Sequence, residues 1–202
     1  MKIDPSFAPF LRNAGIEQME ISKDVIYVLD KGFKLRAYNP AWKKFAEENN
    51  GTALLSKYDL GVRVTDAYPE VLRQYYESVY EKALRTGNRI DVEYECSSDD
   101  LYRKFQQSLY ALENRAGLII SNHLKIELPH QDKGVEPLPF HRNSDGILVQ
   151  CSHCRRVKNH TEKDRWDWVP EYVKQIPEKT SHGLCGRCVV FYYPDYSGTL
   201  LG

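Results

Sequence analysis

The sequence predicts an α+β fold: a five-stranded antiparallel sheet with helices on one face, followed by a small C-terminal module. Three observations predict it. Strand-type patterns open as a hairpin over residues 25–38 and close as a meander over 90–124, with helical patterns between them. Pro and Gly then recur through residues 129–146. Beyond that stretch, Cys151-Ser152-His153-Cys154 is answered by Cys185-Gly186-Arg187-Cys188.

Residues 1–20 carry Phe7, Phe10, Leu11, Ile16 and Met19, broken by Pro5, Pro9 and Gly15. They form a helical segment that covers a sheet edge or meets a second copy. Val25-Ile26-Tyr27-Val28-Leu29 is an apolar run suited to a buried strand, Asp30-Lys31-Gly32 a tight turn, and Phe33–Tyr38 an alternating strand. Asn39 is placed to cap a helix whose first residue is Pro40. Its apolar stripe is Ala41, Trp42, Phe45 and Ala46, and Asn49-Asn50-Gly51 ends it.

A longer helix runs from Pro69 to Thr86 and stops at Gly87. Val71, Leu72, Tyr75, Tyr76, Val79, Ala83 and Leu84 fall at three- and four-residue intervals. Trp42, Phe45, Val79 and Leu84 are expected to face the sheet. Ile90, Val92, Tyr94 and Cys96 then alternate with acidic residues, Leu101–Leu112 makes a long strand, and Gly117–Leu124 a third. The turn Asn114–Gly117 makes the last two antiparallel neighbours.

The cysteines carry the strongest chemical signal. Two residues between thiolates let both sulfurs meet one ion, and a second pair completes a tetrahedron. Cys151, Cys154, Cys185 and Cys188 are therefore the expected ligands of a structural Zn²⁺, with Cys96 spare. His182 and His153 are the alternative ligands or sulfur-side hydrogen-bond partners, with His182 expected to bond a sulfur or backbone group and His153 exposed in its knuckle. An iron–sulfur cluster stays open on ligand count. Residues 147–202 hold too little apolar surface to fold comfortably alone, which is where a metal staple serves. Arg155, Arg156, Lys158 and Arg187 lie beside the knuckles and offset the charge of the sulfurs.

Charge bounds the partners. Lys plus Arg (28) equals Asp plus Glu (28), so nothing draws the chain toward nucleic acid, and that partner is disfavoured. No run is long enough to span a bilayer, so no membrane partner is expected and the compartment is cytoplasmic. The residue patterns of hydrolases, phosphate-binding loops and zinc proteases are absent, and no enzyme is expected.

Over residues 18–128 the hairpin Val25–Tyr38, Asn39-Pro40-Ala41-Trp42-Lys43-Lys44-Phe45-Ala46, Leu60-Gly61 and the helix ending Thr86-Gly87 resemble a PAS domain, the sensory fold of bacterial signalling proteins. Trp166, Tyr172 and Ser181-His182-Gly183-Leu184 between the Cys pairs resemble a tail that follows PAS or receiver domains. The resemblance implies a sensory domain over 21–128, preceded by the 1–20 segment and followed by a linker over 129–146 and the four-cysteine zinc module over 147–202. It also implies a small-molecule pocket, for which Tyr75, Tyr94 and Gln107 are candidates, its ligand unknown. Output would pass through a protein partner or a homodimer. A metal or redox sensor and a nucleic-acid-binding transcriptional regulator are the competing functions.

Overall fold

The computed structural model describes residues 1–49, 51–113 and 115–196. Asn50 and Asn114, assigned above to a helix end and a turn, lie outside the described residues, as does the Val71 side chain. The chain divides into two compact units, Met1–Val92 with Gln106–Leu124, and Glu93–Phe105 with Lys125–Gly202.

In the first unit, β1 (Lys2–Ile3), α1 (Ile16–Ile21), β2 (Val25–Asp30) and β3 (Leu35–Tyr38) precede α2 (Pro40–Glu48), α3 (Thr52–Lys57) and α4 (Glu70–Thr86). The hairpin β2–β3 forms because its turn satisfies itself. The Asp30 carboxylate accepts from the Gly32 and Lys34 N–H groups at 2.8 and 3.0 Å, and Arg36 donates to its other oxygen. Val28, Leu29, Leu35 and Ala37 are wholly buried along the two strands. The meander follows as β4 (Ile90–Glu95), β5 (Leu101–Ala111) and β6 (Gly117–Pro129), with sheet order β1-β3-β2-β6-β5-β4. Cys96 N–H donates to Arg103 C=O and Ser98 N–H to Leu101 C=O, a pairing in which one index falls as the other rises, so β4 and β5 are antiparallel.

Among the described residues the sheet has six strands rather than five. Lys2 and Ile3 pair antiparallel with Tyr38 and Ala37, so the N-terminal segment is not helical throughout but begins as an edge strand. A pair of residues is too short for periodicity to reveal, and the pairing is set by the free edge of β3. Phe7 and Leu11 behind it bury against Val28, Ala37 and Leu112. The arm therefore covers its own sheet, which hides the edge that β3 would otherwise present.

Helix α2 starts where Asn39 and Pro40 predict. The Asn39 side chain accepts from Trp42 N–H at 3.3 Å. Trp42 meets the Tyr27 ring edge-on at 5.0 Å. Helix α4 buries Leu72, Tyr76, Tyr80 and Ala83, a stripe displaced from the predicted one. Val79 and Leu84 are only half-buried, as are Trp42 and Phe45. Tyr80 takes the central position because its ring packs edge-on against Phe33 while its hydroxyl finds a partner inside. β6 runs on to Pro129, past its predicted end at Leu124.

The second unit holds β7 (Leu148–Cys151), β8 (Val157–Lys158), β9 (Trp166–Asp167), α5 (Pro170–Lys174), β10 (Thr180–Gly183) and α6 (Gly186–Tyr192). Its sheet order is β10-β7-β8-β9. β10 lies parallel to β7, with Gly183 beside Cys151. Leu148, Val157 and Val169 make the core under Tyr172. His141 is fully buried, accepting from Leu138 N–H on Nδ1 and facing Asp167 through Nε2 at 3.2 Å. Asn159 and Arg165 donate to the same carboxylate. This closed set anchors Pro139–His141 to β9 and leaves no imidazole nitrogen for other chemistry.

Candidate metal centre

The two knuckles are delivered by backbone geometry. Because β10 and β7 are parallel, Cys151 at the end of β7 and Cys185 two residues past β10 arrive at the same place. The first knuckle closes when Arg155 N–H donates to Cys151 C=O and Cys151 N–H to Arg156 C=O, with Arg155 at φ 61°. In the second, Cys185 is the residue preceding α6 and Cys188 lies in its first turn. Cys185 N–H points at the Cys151 sulfur, 3.4 Å away.

All four sulfurs lie within 4.8 Å of one another. Cys151, Cys185 and Cys188 are buried and Cys154 is half-buried, with Trp166, Leu184 and Tyr192 packed around them. Cys154 and Cys185 sulfurs are 3.6 Å apart, far too long for a disulfide at about 2.05 Å. All are free thiols. Their acidities divide: hydrogen bonding from Cys154 draws the Cys151 thiol down to about 6, and Cys185 is lowered by its contact with Cys151. Cys154 and Cys188 are raised by their own contacts with Cys151. Four thiols this close cannot all ionise without a cation among them.

The knuckle does not leave His153 exposed as expected. His153 is buried and His182 exposed. The knuckle turns His153 inward, where Nδ1 accepts from Glu95 N–H at 3.2 Å and Nε2 meets the Tyr193 hydroxyl. Its ring stacks on Tyr192 at 4.7 Å. Both nitrogens are thus occupied away from the sulfurs. Burial pushes the His153 imidazole down to about 4 from its ordinary 6.5. A depressed histidine supports stability above pH 6.5, and that support is lost as pH falls through 6.5 toward 4. The shift corresponds to about 3 kcal/mol. Following the His153 ring protons by NMR checks this; a midpoint near 6.5 contradicts it.

The basic residues are spoken for in part. Arg156 pairs with Asp132 at 2.9 Å, and the Arg155 guanidinium points at the Cys96 sulfur at 3.7 Å. Lys158 and Arg187 are exposed. Cys96 stands outside the four-sulfur group. Sequence reasoning missed Tyr192 and Tyr193, although they follow Cys188 by one helical turn, the spacing that lays them over the knuckle.

Of the pocket candidates, Tyr75 and Gln107 belong to the first unit and Tyr94 to the second. Gln107 is buried in the first unit among the unit's own polar groups. It accepts from the Tyr80 hydroxyl at 3.3 Å and donates toward Tyr27 at 3.4 Å and Asn122 at 3.2 Å. Tyr68 and Tyr80 hydroxyls join at 2.9 Å. Tyr75 lies against Tyr76, and Tyr94 stacks on Phe105 in the second unit. Two open clefts on the first unit contain neither Tyr75 nor Gln107. The polar side chains of this network satisfy one another. Tyr80→Phe removes its central hydroxyl, and urea unfolding should show a loss of about 1–3 kcal/mol. An unchanged midpoint would mean the network contributes nothing.

No family model matches the chain, and no curated protein does. No helix among the described residues is long and apolar enough to cross a membrane. Partial likenesses to solved structures are found at 13% identity. One is the phage VqmA–DPO complex, aligned over 58% of this chain and 53% of that one with a TM-score of 0.42. This chain thus spans about half of that protein's length. A PAS domain from Colwellia psychrerythraea is aligned over 55% of this chain and 92% of its own, with a TM-score of 0.41. The PAS domain of nitrogen regulation protein NR(II) from Vibrio parahaemolyticus is aligned over 54% and 95%, with a TM-score of 0.32.

Proposed function

We propose that this chain is a cytoplasmic regulatory protein in which a PAS-like sensory domain is coupled to a module held by structural zinc. Output passes through a protein contact rather than catalysis. The observation that carries the metal reading is the four-sulfur group within 4.8 Å. A tetrahedron with Zn–S bonds of about 2.3 Å has edges of about 3.8 Å. The Cys154–Cys185 separation of 3.6 Å fits that edge. Sulfurs so close leave room for one ion and not for the several irons and sulfides of a cluster. Four protein ligands close the coordination sphere, so the ion would supply folding free energy and no site for substrate.

The sensory reading is supported by the antiparallel sheet with its helical insertion between hairpin and meander, and by the Asn39-Pro40 helix start within it. Elemental analysis of the purified, untreated chain tests the metal. One zinc per chain in a colourless sample is expected. A brown, iron-containing protein favours the redox sensor, and a metal-free folded chain overturns the proposal.

A further inference from the structure

The last part of β6 has an open edge. β2 pairs with β6 from Asp30↔Gly117 to Val25↔Asn122, and among the described residues no strand follows on that side. Ile26 exchanges hydrogen bonds with Asn39, beyond the end of β3, so its peptide groups face away from β6. Val25 and Tyr27 therefore face β6, and Asn122 and Ile120 face back toward them. By the same alternation Leu124, Ile126 and Leu128 present their N–H and C=O groups on the edge that β2 has left. The odd-numbered residues face β5, as Gly117 does in accepting from Leu112 N–H.

Side chains on this stretch alternate too. Leu124, Ile126 and Leu128 share one face and are 39%, 39% and 55% exposed. Lys125 and Glu127 share the other, paired in-chain with Glu93 and Arg103. Such an edge is a template for another strand unless something covers it. Its sequence is complementary to itself. In antiparallel pairing about Ile126, Leu124 faces the second copy's Leu128 and Lys125 faces the second copy's Glu127.

We propose that β6 beyond Asn122 pairs antiparallel with the same segment of a second copy, forming a two-fold homodimer with Ile126 on the axis. The outward peptide groups of Leu124, Ile126 and Leu128 hydrogen-bond across it. The apolar side chains come together on one face, and opposite charges stand directly opposed on the other.

Sedimentation equilibrium of the full chain, with two charge variants, tests this. The wild type should be a dimer. Lys125→Glu opposes Glu to Glu127, and Glu127→Lys opposes Lys to Lys125, so each variant alone should dissociate at least about tenfold more readily. Mixed together they restore opposite charges at every position, and the mixture should dimerise again. That recovery also shows both variants are folded. A wild type that is monomeric at the highest concentration it tolerates overturns the proposal and leaves the edge to a different strand. Variants that stay dimeric alone, or that remain monomeric when mixed, overturn it as well.

Discussion

Cys154→Ser and Cys185→Ser should each abolish tight metal binding and unfold residues 147–196, while Cys96→Ser leaves metal content unchanged. The difference follows from position. Cys154 and Cys185 belong to the four sulfurs within 4.8 Å, and Cys96 does not. With only three thiolates the site keeps a hydroxyl that binds zinc poorly, and neither His153 nitrogen is free to substitute. The apolar core over residues 147–196 is small: Leu148, Val157 and Val169 form one cluster, and Trp168, Val189 and Tyr193 are also buried. Zinc in comparable small modules contributes on the order of 10 kcal/mol or more at neutral pH. A core of that size cannot replace that contribution. Metal content and the near-ultraviolet signals of Trp166 and Trp168 read the outcome together. Retention of one tightly held zinc by either knuckle variant would contradict the ligand assignment.

Asn39→Ala should destabilise the first unit by about 2–5 kcal/mol, a large effect for one polar side chain. Asn39 is wholly buried and bonds in five directions. Its oxygen accepts from Ile26 and Trp42 N–H, holding β2 to the start of α2. Its amide donates to Met19, Ser22 and Asp24 carbonyls, which ties down the end of α1. Truncation leaves buried peptide groups without partners, and those groups, rather than the lost side chain, account for most of the cost. Asn39→Asp is expected to be no better, because it keeps the acceptor but aims a carboxylate at three carbonyl oxygens. Urea unfolding of the full chain reads both variants. A shift below about 1 kcal/mol for Asn39→Ala would reduce the residue to an ordinary exposed cap.

Much of this was legible because local rules and tertiary need agree. Asn39-Pro40 marks a helix start in any context, and the alternation from Ile90 to Glu95 marks a strand, although only Val92 of its apolar residues is fully buried. The Cys pairs declare their common destination by spacing alone. What was hidden depends on distant partners. The pairing of β1 with β3 involves two residues, too few for a period. The parallel pairing of β10 with β7, which brings the knuckles together, has no counterpart in residue pattern. His153 looked exposed because its partner Tyr193 is forty residues away. Tyr80 was passed over although it lies one turn from Tyr76, since a hydroxyl reads as surface until Gln107 and Tyr68 are found beside it. The continuation of β6 was visible in Leu124-Lys125-Ile126-Glu127-Leu128, whose alternation runs on unbroken.

The claim at the centre is that four cysteines and one ion hold the second unit. Hydrogen exchange read by mass spectrometry on the full chain, before and after chelation, tests it most directly. Protection over 147–193 should collapse when the metal is removed, while β2, β3 and the 117–122 part of β6 keep theirs. Lowering the pH should do the same at the point where protons displace the metal from the thiolates. Protection over 147–193 that survives complete metal removal would contradict the account.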